Sequence, residues 1–119
     1  MSDVEALLRT LPRKIKVGAY DWRVVLNSDP RPDEVDKCGE ADFEHHVVNL
    51  WPQNLISPDH TVGILIHELF HVFWDNADLH HSSRSDDQEE EIVIGFEHGF
   101  VSLFRDNPRL LTWIKKGLK

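Results

Sequence analysis

"ILIHELFHVFW", residues 64–74, is apolar at nearly every position, yet His67, Glu68 and His71 sit inside it. Polar and ionisable groups are costly to bury without partners, so the stretch asks what those three side chains meet. Ser57-Pro58 upstream is a helix start, with a capping serine and proline at the first helical position. The spacing therefore predicts a helix from about Pro58 to Ala77. Its flanks are apolar on nearly every side, which predicts packing on all faces.

Outward from this helix the chain divides simply. Residues 3–11, "DVEALLRTL", read as a short helix or a loose arm. "RKIKVGAYDWRVVLN" alternates through Ile15, Val17, Trp22, Val24 and Leu26 with Gly18-Ala19 as the turn, a β-hairpin pattern. "SDPRPDEVD" is a loop, with two prolines among its acids. "KCGEADFEHHVVNLW" reads as a second hairpin, with strands near 38–43 and 47–51 and Pro52 ending the second. "DLHHSSRSDD" is a polar loop. A second long helix is expected from about Asp87 to Asp106, with Val93, Phe96, Phe100 and Phe104 on its inner face. Asn107-Pro108 stops it and opens a short last helix to about Lys116. The fold class is α+β: a small antiparallel sheet of two hairpins packed on two long helices, in a single domain over residues 1–119.

Composition narrows the function classes. The 119 residues suit one domain. A formal net charge of -8 disfavours nucleic acid, whose binders present a basic face. No apolar run reaches the length of a membrane span, and the N-terminus has no apolar signal core. Cys38 is the lone cysteine, so no internal disulfide can form and a reducing, cytoplasmic setting is expected. The four tryptophans, Trp22, Trp51, Trp74 and Trp113, need only a core role.

His67 and His71 lie four apart, so their imidazoles project from one side of the helix and can share one metal ion. Glu68 points about 100° away, where a carboxylate can reach a metal-bound water without ligating the metal. This is the H-E-x-x-H arrangement of zinc-dependent hydrolysis. The plainer alternative is a core helix with two satisfied histidines, and eight histidines in the chain raise the odds of a chance match. A catalytic zinc takes three protein ligands and keeps a position for water. Glu89, Glu90 and Glu91 open the second long helix. On its wheel Glu89 falls within the inner face, Glu90 at its edge and Glu91 well away. Glu90 is the favoured third ligand and Glu89 the second choice, although an acidic first turn also suits the helix dipole alone.

"HELFH", the acidic cluster before "IVIGF", and "LFRDNP" together resemble a group of small phage and prophage proteins. These look like zinc metallopeptidases of the zincin fold with a glutamate third ligand, that is, gluzincin-like. The resemblance runs from "LPRKIKVGAYDWRVV" through "RDNP". It implies ligation of Zn2+ by His67, His71 and a glutamate of the 89–91 run, with Glu68 as general base and a peptide or protein as substrate. Tyr20, His80, His81 and Arg84 are candidates for stabilising an oxyanion. Residues 47–51 are expected either to pair an extended substrate as an edge strand or to pack on the helices. His45, His46, His60 and His98 read as turn or surface residues. A domain this small leaves little room for specificity pockets, so a homodimer or partner protein is the expected way to complete a cleft. The competing readings are a non-catalytic, zinc-stabilised scaffold that binds a host or phage protein, and a metal-dependent hydrolase of another bond.

Overall fold

Gly18, at φ 62°, turns the first hairpin in the left-handed region that glycine adopts without penalty. The computed structural model describes residues 2–29, 35–76 and 86–119. Among them the elements run α1 (Asp3–Arg9), β1 (Lys14–Val17), β2 (Tyr20–Leu26), β3 (Gly39–Asp42), β4 (Val47–Leu50), a 3-10 turn (Pro52–Asn54), α2 (Pro58–Asn76), α3 (Asp86–Asp106) and α4 (Pro108–Gly117). The architecture is α+β, with four α-helices and a four-stranded sheet among the described residues.

The sheet departs from expectation. Both hairpins form, but they join by β2 lying parallel to β4, with Val24 opposite Val48 and Leu26 opposite Leu50. The strand order is β1-β2-β4-β3 and the sheet is mixed, not antiparallel. The reason is burial. Val47, Val48 and Leu50 are all buried, which suits an interior strand covered on both faces. "GEAD" in β3 is half-buried throughout and suits an edge.

The two edges are treated differently. Along β1 the side chain of Asn107 acts as a strand partner. Lys16 N–H donates to Asn107 Oδ1 at 2.9 Å, and Asn107 Nδ2 donates to Lys16 O at 2.7 Å and to Leu103 O at 2.8 Å. The last turn of α3 is thereby fixed to the sheet. The other edge, β3, lies against α2, where Gly39 meets Ile64 and Glu68.

The core fills the space between sheet and helices. Ile15, Val17, Trp22, Val24, Val48 and Leu50 face Val62, Leu65, Leu69, Val72 and Phe73 of α2, with Leu103, Leu110 and Trp113 closing one side. Trp113 Nε1 donates to Leu7 O at 2.8 Å, which satisfies a buried indole and ties α4 to α1. Phe70 and Phe73 meet Phe96 and Phe100 with ring centroids 5.3–6.1 Å apart, the seam of α2 with α3.

Helix α2 is not packed on all faces. Its buried residues are Thr61, Val62, Leu65, Glu68, Leu69, Val72 and Phe73, one stripe at helical spacing. Phe70 is 40% exposed, and His67 and His71 are exposed beside it. The sheet, α3, α1 and α4 cover the stripe and leave one strip of the helix open.

Candidate metal centre

The helix start that sets the register of the site is well anchored. His60 N–H donates to Ser57 Oγ at 3.2 Å, and Thr61 Oγ1 donates to Ser57 O at 2.8 Å. Ile56 N–H donates to Nδ1 of His60 at 3.2 Å, so His60 is a half-buried capping residue and not a solvent-facing one.

His67 and His71 stand a turn further on. Their Nε2 atoms are 3.2 Å apart, with ring centroids at 4.8 Å and ring planes at 77°. A tetrahedral ion bound at about 2.0–2.1 Å holds two nitrogens roughly 3.3–3.4 Å apart. The pair therefore converges on one point as two ligands of one ion would. Without an ion the same distance suits one imidazole donating to the other.

The burial is the reverse of what the apolar stretch suggested. The two histidines are exposed, and Glu68 is buried at 6% exposure. Its carboxyl lies against β3, where a Cβ on Gly39 would stand 3.3 Å from Glu68 Oε2. Burial pushes the carboxyl above the usual carboxylate range. Charge at His67 and His71, the Ala41 N–H and charge at Lys37 pull the other way. Lys37 itself pairs with Glu40 at 3.0 Å. A buried carboxyl with a raised pKa beside two converging imidazoles is suited to taking a proton.

Glu89, Glu90 and Glu91 are exposed in the first turns of α3. Among the described residues no three of histidine, cysteine, aspartate and glutamate gather as a metal-ligating group. Phe96 is the first ring of α3 to meet α2, and Glu90 lies about 9 Å further along the α3 axis. His80, His81 and Arg84 lie outside the described residues.

The remaining candidates have other partners. Tyr20 is exposed, with its ring 4.7 Å from that of His46. His46 occupies the β3–β4 turn at φ 54° and stacks on Trp22 at 5.1 Å. His45 Nδ1 lies 2.9 Å from Asp42 Oδ2. His98 is exposed on α3 and lines an open groove of about 270 Å³ with Asn76 and Ser102. Cys38 precedes β3 rather than lying within a strand, and its Sγ is 3.5 Å from Asn54 O. Residues 47–50 form an interior strand, so the edge strand on that side among the described residues is β3.

The contribution of β3 to the site was not anticipated. A signal existed in Gly39, since a glycine inside a strand often marks close backbone approach. Comparison with protein-family models, with curated proteins and with solved structures gave no match for this chain.

Proposed function

We propose that the protein is a zinc-dependent metallopeptidase of zincin-like fold. The observation that carries this reading is the 3.2 Å approach of the His67 and His71 Nε2 atoms, with the Glu68 carboxyl presented from the same helix. His67 and His71 would hold the zinc, with Glu90 as the third ligand and Glu89 as second choice. When bound, zinc lowers the pKa of a coordinated water to about 7 and polarises a carbonyl. Glu68 takes the proton from the attacking water and returns it to the leaving amine. Its raised pKa makes the carboxylate a stronger base for the first half of that cycle. The edge strand β3 beside Glu68 is where an extended peptide would pair.

The test is zinc content by elemental analysis, together with hydrolysis of a proteome-derived peptide pool. Wild type should bind one zinc and cleave. Glu68→Gln should keep the zinc and lose cleavage. Absence of zinc after loading would overturn the metal centre. Zinc without cleavage in the wild type would favour the second reading, a metal-stabilised scaffold that binds a protein. The burial of Glu68 against Gly39 of β3 is the observation on that side.

A further inference from the structure

Helix α3 turns its aromatic face to α2 and carries further apolar groups on the other side. Phe96 and Phe100 meet Phe70 and Phe73, Gly99 lies against Phe73, and Leu103 is buried. On the outer side Val93, Ile94 and Val101 are 56%, 41% and 59% exposed. Glu91, Ile94, Glu97, His98, Val101 and Arg105 are all exposed and follow one another at helical spacing, so they form one stripe. Glu97, His98, Val101 and Arg105 line, with Ser102, an open groove of about 510 Å³. Single exposed aliphatics need no explanation, but three on one face of one helix mark a contact surface. The stripe is also self-complementary. Ile94 and Val101 are centred between positions 97 and 98, as are Glu97 and His98, and Glu91 and Arg105 have almost the same centre. A second copy of α3 laid antiparallel about that point sets Ile94 against Val101, Glu97 against His98 and Glu91 against Arg105. Each pairing matches apolar with apolar or acid with base. A parallel pair would set Glu91 on Glu91 and Glu97 on Glu97, a repulsive arrangement in a chain of net charge -8.

We propose that the outer face of α3 is a homodimer interface, in which two copies of the chain pack antiparallel about a twofold axis between Glu97 and His98. Such an interface is isologous, so each contact occurs twice. Ile94 of the second copy enters the groove beside Val101, which removes both aliphatic side chains from water. The Glu97 carboxylate accepts from the imidazole of His98 of the second copy. Arg105 bonds its neighbour Asp106 at 3.2 Å, yet its side chain is 68% exposed and reaches Glu91 of the second copy. The stripe runs about 21 Å along the helix. Contact over that length buries less than the roughly 1,200 Å² at which stable interfaces begin, so the dimer forms in the micromolar range or above. The proposal does not rest on the metallopeptidase reading.

Sedimentation equilibrium of the full chain, at concentrations up to about 500 µM, tests the interface. Wild type should show a monomer–dimer equilibrium. Ile94→Asp should weaken it about tenfold or more, and Val101→Asp should do the same if the first variant does not fold. Ile56→Ser, at an exposed apolar residue outside α3, should leave it unchanged. The register has its own test. Glu97→Lys should weaken the dimer by about tenfold. Adding His98→Glu should restore it, because lysine then meets glutamate across the axis. Adjacent residues do not face each other on a helix, so pairing within one chain cannot give that rescue. A protein still monomeric at the highest concentration would overturn the proposal. So would a dimer that neither aspartate variant weakens, since its interface then lies elsewhere. A double variant that associates no better than Glu97→Lys alone would overturn the antiparallel register.

Discussion

The side-chain amide of Asn107 pairs with both backbone groups of Lys16, a residue 91 positions away, and so stands in for a missing strand at the β1 edge. Asn107 also begins α4, but its side chain makes no capping bond there. Its energetic role therefore lies in the sheet contact. Asn107→Ala removes three hydrogen bonds to backbone and should destabilise the fold by about 2 kcal/mol. Urea denaturation followed by circular dichroism would measure this, and a midpoint equal to wild type would show that the edge contact contributes nothing.

Zinc should stabilise the folded chain by mass action, because the unfolded chain does not hold His67 and His71 together. At free zinc a hundredfold above Kd the gain is about 2.7 kcal/mol, or roughly 10 °C in Tm for a domain this size. A chelator should reverse it. His67→Ala and His71→Ala should each abolish the shift in differential scanning calorimetry, whereas His98→Ala should retain it.

Stability of the metal-free protein should fall with rising pH across the range set by Glu68. Burial raises the folded-state pKa of this carboxyl above its ordinary value. Between the ordinary and the raised value the unfolded chain has already lost the proton that the folded chain keeps. The unfolded state therefore binds fewer protons, and unfolding becomes easier as pH increases. Below that window the effect vanishes, and above it the loss is complete. Glu68→Gln should flatten this part of the pH–stability curve measured in urea without zinc.

His45 should titrate above its ordinary value, because it shares a hydrogen bond with Asp42 and lies near that carboxylate's charge. Asp42 is correspondingly lowered, first by its bond to the His45 side chain. In Asp42→Asn the His45 ring signals in an NMR pH titration should move to a lower pKa. Unchanged midpoints would show that the 2.9 Å contact does not persist in solution.

Local signals carried the elements of this fold. Gly18-Ala19 marked a hairpin turn, Ser57-Pro58 a helix start and Asn107-Pro108 a helix break, and each depends on backbone preferences of a few residues. The parallel joining of β2 to β4 was not legible in that way. It is a pairing across more than twenty residues, and alternation within a strand says nothing about its neighbour. The apolar run of β4 against the charged, glycine-containing β3 was the available cue to which strand is interior. In the site, the spacing of His67 and His71 foretold their convergence, because helix geometry fixes it. The burial of Glu68 depended on a strand nearly thirty residues earlier, and only Gly39 hinted at it.

The composition of β3 has a consequence for the protein's solution behaviour. An edge strand invites sheet-to-sheet association between molecules. This one is only four residues long, and it carries acids at Glu40 and Asp42. Two β3 strands laid side by side would bring like charges together over a short contact. The strand is thus poorly suited to self-polymerisation. Replacing both acids with valine should turn it into an aggregation-prone edge, visible as concentration-dependent light scattering.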